Sequence, residues 1–107
     1  DDLAEACFHV LENWYPDRLN APKLSNGNIL THLNVGTGKE ISIKELAFKI
    51  AKIINFDGKI NWDTSKPDGT PRKKLDISRI EKMGWGPKIS LETGLINSLE
   101  EYKKLKK

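Results

Sequence analysis

Apolar residues recur at helical spacing in four stretches of the chain and alternate with polar ones in two. Near the start, Leu3, Ala6, Cys7, Val10, Leu11 and Trp14 form one amphipathic series, and Asp1 and Asp2 suit a helix N-terminus. Cys7 falls on the apolar stripe of that series, which predicts a buried, unreactive thiol. The clearest helix lies in SIKELAFKIAKIINF, where Ser42 can cap the free amides and Glu45, three residues on, can reach back to close a capping box. Ile43, Leu46, Ala47, Ile50, Ala51, Ile53 and Ile54 supply its apolar face, while Lys44, Lys49 and Lys52 lie largely off it and read as solvated charge. A shorter helix is predicted in DISRIEKMGW, started by Asp76 or Ser78 and stopped by Gly84. Ser90 caps the last, LETGLINSLEEYKKL, whose stripe is Leu91, Leu95, Leu99 and Tyr102 and whose basic end complements the helix dipole. Gly94 weakens the middle of that helix by about 1 kcal/mol relative to alanine.

Strict alternation is shorter. In ILTHLNVG, Leu33 and Val35 face one way and His32 and Asn34 the other, which predicts a short strand with a structural histidine. Lys59 to Trp62 predicts a second, after a turn at Gly58. Between the first helix and the first strand, YPDRLNAPKLSNGN carries two prolines and a glycine and reads as a loop. The fold class expected is therefore α/β, or α+β-like as a fragment, with three to four helices and two or more short strands in one domain. Two short strands make a poor sheet alone. The chain also opens without methionine, already inside an amphipathic pattern, and is expected to be a piece of a longer one.

Charge and composition narrow the partners. A net charge of +3, from 18 basic and 15 acidic side chains, is small and partly gathered in the tail KKLKK, Lys103 to Lys107. Nucleic-acid binders usually carry a stronger, face-specific excess with interleaved aromatics, so no nucleic-acid partner is expected. No apolar run approaches the roughly 20 residues that span a bilayer, so no membrane partner is expected. The single cysteine forms no internal disulfide and suits a reducing cytosol. Scattered histidines and cysteine give no metal-ligand spacing.

Two segments invite chemistry. NVGTGKE, Asn34 to Glu40, follows a predicted strand and precedes a helix. It is too short for a phosphate-binding P-loop, and no Ser or Thr follows Lys39; a dinucleotide fingerprint needs a third glycine where Ile41 stands. A tight structural turn is the simpler reading. The second segment is SKPDGTPRKKLD, Ser65 to Asp76. Pro67 and Pro71 restrict the backbone around Gly69, so the loop can be held in shape before a ligand arrives. Arg72, Lys73 and Lys74 offer donors to phosphate oxygens, and Asp68 an acceptor to sugar hydroxyls, a combination suited to a sugar diphosphate. A solvated basic connector explains the same composition. Asp1, Asp2, Asp63, Asp68 and Asp76 show no acid–base pairing pattern, so no catalytic residue is assigned.

The run HLNVGTGKEISIKELAFKIAKIINFDGKINWDTSKPDGTPRKKLDISRIEKMGWGPKISLETGL resembles the C-terminal part of the GDP-L-fucose synthases, within the extended short-chain dehydrogenase family. DDLAEACFHVLE resembles the segment leading into it. NVGTG with SIKELA is general to nucleotide-sugar members, whereas KPDGTPRKKLD, GW and ISLETGL point to the GDP-fucose branch. The resemblance implies a C-terminal substrate-binding subdomain, residues 1–107, of an enzyme whose NADP-binding Rossmann domain is not in this sequence. That enzyme would convert GDP-4-keto-6-deoxy-D-mannose to GDP-L-fucose by C3/C5 epimerisation and NADPH-dependent C4 reduction, in the cytoplasm and as a homodimer. NADPH and the catalytic Ser, Tyr and Lys would belong to the absent domain. Tyr15 has Leu19 at its fourth position, and Tyr102 has Lys106 in a charged tail, which reads as coincidence. The resemblance places Lys73 on a diphosphate-contacting lysine and Asp68 on a substrate-contacting aspartate, with Arg72 adjacent. The substrate-binding residues expected are thus Asp68, Arg72 and Lys73. Two other readings stay open: the cap of a different nucleotide-sugar epimerase or dehydratase, and a free-standing polyanion-binding module.

Overall fold

In the computed structural model, residues 1–19 and 21–106 are described. Asn20, inside the predicted loop, and Lys107, at the end of the basic tail, lie outside the described residues. Among the described residues four helices form: α1 (Asp2–Asn13), α2 (Ile43–Ile53), α3 (Ser78–Lys82) and α4 (Leu91–Leu105). The chain divides into two compact units, one of Asp1–Lys39 with Lys74–Lys88, the other of Glu40–Lys73 with Ile89–Lys107.

The first unit holds the hydrophobic core. Ala6 from α1, Ile77, Ile80 from α3 and Trp85 are buried together, with Val10 and Val35 packed against them. Helix α3 is short, and its end explains how Trp85 arrives there. Gly84 adopts φ +93, its amide bonds the Glu81 carbonyl at 2.9 Å, and the Trp85 amide reaches back to Ile80 at 3.2 Å. This is a Schellman closure, in which the residue after the left-handed glycine returns onto the helix's own apolar face. Helix α1 is tied in by polar contacts along the same side. His9 Nε2 lies 2.9 Å from the Met83 carbonyl, Asp2 accepts from the Lys88 amide at 3.0 Å, and Glu5 pairs with the Lys88 ammonium.

The predicted apolar stripe of α1 is only partly used. Ala6 is buried and Val10 and Trp14 are half-buried, whereas Leu3 and Leu11 are exposed, as is Phe8. Cys7 is exposed too, which corrects the expectation of a buried thiol. Apolar residues surround the helix on more than one side, and the face carrying His9 and Ala6 makes the core contacts; Cys7 points away from it.

The two predicted strands are not formed. Among the described residues, strand-like pairing is limited to a single antiparallel bridge between Lys23 and Ile29, closing a turn in which Gly27 takes φ +82. Residues 31–36 and 59–62 have no partner strand, and a strand without a hydrogen-bonding neighbour is not an element. The alternation itself is real: Leu33 and Val35 are half-buried, and His32 and Asn34 are exposed. The described structure is thus helical and irregular rather than α/β.

The second unit is organised from its helix ends. Ser42 Oγ accepts from the Glu45 amide at 3.1 Å, and a Glu45 carboxylate oxygen accepts from the Ser42 amide at 3.0 Å, so the capping box is complete. At the other end Asn55 takes φ 54, its amide bonds Lys52, and the Phe56 amide bonds Ala51 at 2.8 Å, a second Schellman closure. Ser90 caps α4 by accepting from the Thr93 amide at 3.0 Å. α2 contacts α4, and Lys49, read from the sequence as free charge, pairs with Glu92 at 3.2 Å. Neither helix has a fully buried residue.

Hydrogen bonds from the Ser42 amide and hydroxyl hold the Glu45 carboxyl below its ordinary value of 4.5. A lowered folded-state value means that the bond stabilises above the ordinary value and is lost as pH falls through the lowered one. Ser42→Ala should cost about 1 kcal/mol through the lost side-chain cap. Glu45→Gln should destabilise the chain at neutral pH, and in urea titrations that difference should shrink once the pH drops well below the glutamate range; a difference independent of pH would show that the charged, reciprocal half of the box contributes nothing.

Candidate functional site

The two segments singled out in the sequence have different fates. In the glycine turn, Asn34 Nδ2 donates to the Asp76 carbonyl at 3.2 Å. A Cβ on Gly36 would lie 3.3 Å from the Leu75 side chain, and one on Gly38 would lie 3.3 Å from Ile77. Gly38 also takes φ +66, a left-handed conformation that side chains disfavour. Both glycines are therefore accounted for by packing against residues 75–77. The turn does not fit a dinucleotide: it has no third glycine, and its close approach is already occupied by two aliphatic side chains. It acts as a seat for the segment that leads into α3.

The basic segment is built from the second unit as far as Lys73. It starts from a compact turn, in which Asp63 accepts from the Ser65 amide at 3.0 Å and from its hydroxyl; these bonds, the hydroxyl's first, lower the Asp63 carboxyl below its usual value. From Lys66 to Lys73 the backbone is irregular and every residue is exposed. Pro67 and Pro71 stand on either side of Gly69, whose absent Cβ would meet nothing within 4 Å and whose φ is not positive. Local packing and backbone conformation therefore do not require glycine at 69.

The three predicted binding residues divide. Asp68 and Lys73 take part in no hydrogen bond or ion pair among the described residues, so both side chains are open to a ligand. Arg72 is engaged: its Nε and Nη2 donate to the two carboxylate oxygens of Glu40, each at 2.8 Å. The hydrogen bonds and then the charge of Glu40 push the guanidinium further toward its protonated form. Glu40 was not singled out in the sequence, where a lone glutamate after Gly-Lys carries no sign of a partner distant in the chain. Beyond Lys73, Lys74 is exposed, and Asp76 accepts from the Ser78 amide at 2.9 Å, which lowers its carboxyl and turns the chain into α3.

Elsewhere, chemistry is sparse. Among the described residues no group of three His, Cys, Asp or Glu side chains is placed to hold a metal, and no helix is long and apolar enough to cross a membrane. An open cleft of about 440 Å³ in the first unit is lined by Trp14, Tyr15, Asp17, Arg18 and Met83 among others, but Arg18 lies over the Tyr15 ring at 3.9 Å. Tyr102 and Lys106 come together through the ring face, at 5.0 Å from its centroid.

Gly38→Ala should destabilise the fold by about 1–2 kcal/mol, from its left-handed backbone alone. Adding Ile77→Val should not restore what the backbone conformation costs, as thermal melts of the single and double variants will show. Full restoration would make the Ile77 contact the sole reason for that glycine.

No family model matches the chain. Individual relatives do. It is 44% identical over 102 residues to GDP-L-fucose synthase of Escherichia coli (strain K12), covering 95% of this chain and 30% of that protein. With probable GDP-L-fucose synthase 1 of Oryza sativa subsp. japonica it shares 42% identity over 102 residues, 95% of this chain and 27% of the relative. Among solved structures, a GDP-6-OMe-4-keto-L-xylo-heptose reductase from C. jejuni aligns with a TM-score of 0.79 and 35% identity over 98% of this chain and 29% of that one. Across nearly its whole length, then, the chain resembles GDP-L-fucose synthase, and it spans less than a third of the relatives it matches.

Proposed function

We propose that this chain is the GDP-sugar-binding portion of a GDP-L-fucose synthase, an extended short-chain dehydrogenase. The complete enzyme would convert GDP-4-keto-6-deoxy-D-mannose to GDP-L-fucose by epimerising C3 and C5 and reducing the C4 ketone with NADPH. In this reading the proton and hydride transfers, and NADPH itself, belong to the remaining part of the enzyme. The substrate is bound in part by the segment Lys66–Lys73, with Lys73 facing the diphosphate and Asp68 the hydroxyls. Arg72 belongs to the same loop. The reading also carries a cytoplasmic homodimer, and an isolated chain without activity.

One observation carries the assignment: the contrast between the glycines. Gly36 and Gly38 are explained by packing and backbone conformation, whereas neither requires Gly69. A bare backbone between Asp68 and Thr70, stiffened by prolines on both sides, suits the close approach of a ligand. The free carboxylate of Asp68 and free ammonium of Lys73 then lie on the same short loop. A second reading, the binding part of an enzyme acting on a different GDP-sugar, is favoured by the C. jejuni reductase, whose name shares GDP but has another sugar.

In the complete enzyme, Lys73→Ala should raise KM for the GDP-sugar by about tenfold while leaving kcat nearly unchanged, and Lys73→Arg should recover part of the loss. Gly69→Ala should raise KM without moving the melting temperature, the reverse of Gly38→Ala. If both variants keep the parent KM, the loop is only a connector. Substrate competition with GDP, UDP and other GDP-sugars separates the two readings. The isolated chain, given keto sugar and NADPH, should consume none.

A further inference from the structure

We infer that Arg72 is a positioning residue, which works through Glu40 to hold the binding loop in place, rather than a contact to the substrate. This rests on the reading of Lys66–Lys73 as the GDP-sugar loop. Four observations carry it. Two of the three guanidinium nitrogens of Arg72, Nε and Nη2, donate to the two oxygens of one carboxylate, each at 2.8 Å, the paired geometry that fixes the direction of the side chain and leaves only its Nη1 edge outward. Neighbouring Lys73 makes no such contact, so the loop separates a tethered cation from a free one. Glu40 opens the first stretch of the second unit and Arg72 stands next to its end, so the pair closes the stretch Glu40–Lys73 on itself. No residue of the irregular segment Lys66–Pro71 has a hydrogen bond among the described residues. The fork therefore fixes the end of a segment that has few other restraints.

Exposed ion pairs usually matter little, and this one is exposed on both sides, the arginine more than the glutamate. Bidentate geometry is the recognised exception, and here the consequence is directional rather than a matter of global stability. Holding Arg72 against Glu40 sets the backbone direction at Lys73, and small displacements of a binding group carry large losses in affinity.

The sign of one substitution separates the alternatives. If Arg72 contacted the diphosphate, Glu40→Gln would release it and remove a negative charge near an anionic ligand, so KM would fall or stay the same. As a positioning pair, Glu40→Gln should raise KM for the GDP-sugar by about fivefold to tenfold with kcat little changed. The double exchange Glu40→Arg with Arg72→Glu should bring KM most of the way back. Tryptic cleavage after Lys73 or Lys74 should quicken in Glu40→Gln and return to the parent rate in the double exchange. This second readout needs no ligand. Lys73→Ala, measured alongside, keeps the two failures apart. If Lys73→Ala raises KM but Glu40→Gln does not, only the positioning role is lost. If Lys73→Ala and Gly69→Ala both leave KM unchanged, the loop is not the binding site. Unchanged cleavage in Glu40→Gln overturns the tether itself.

Discussion

Two glycines seated against two aliphatic side chains set the geometry of the first unit. Gly36 meets Leu75 and Gly38 meets Ile77, and Asn34 from the same turn holds the Asp76 carbonyl. Without that approach Ile77 would not reach the core it shares with Ala6, Ile80 and Trp85. The core is small, so the chain reversal that delivers Trp85 matters as much as apolar area. A left-handed glycine after α3 brings the indole back over Ile80, and the hydrophobic contact comes from a backbone conformation. Sequence pattern, local turn chemistry and packing agree at this point of the molecule.

The second unit is held differently. With neither α2 nor α4 burying a residue fully, its described shape is carried by directional contacts: a capping box, a Schellman closure at Asn55, the Lys49–Glu92 pair and the Arg72–Glu40 fork. Each is modest in energy, but each fixes an angle. Directional contacts of this kind suit a part of a protein whose task is to present a loop.

What could be read in the sequence follows the range of the interaction. The capping box of α2, the full extent of α4 and the glycine stop of α3 depend on residues a few positions apart, and all three were legible. The failure of NVGTG as a nucleotide motif was legible from its spacing, although its actual purpose, a seat for Leu75 and Ile77, was not. Alternation at Leu33 and Val35 correctly gave the inward positions but not a strand, because a strand is a property of two segments and pattern describes one. Cys7 misled for a related reason: a helix apolar on several sides does not say which side meets the core. Glu40 was invisible, since an ion pair joining distant parts of the chain leaves no periodic trace.

The seat beneath Leu75 and Ile77 also bears on how such sequences change over time. Position 36 is answerable to position 75, and position 38 to position 77 as well as to its own backbone angle. A smaller residue at 75 relaxes the demand for glycine at 36, whereas nothing at 77 can relieve the demand that φ makes at 38. Relatives should thus drift jointly at 36 and 75 while 38 stays fixed. Invariance of the second glycine, which invites a catalytic explanation, would then record a backbone conformation inherited with the fold.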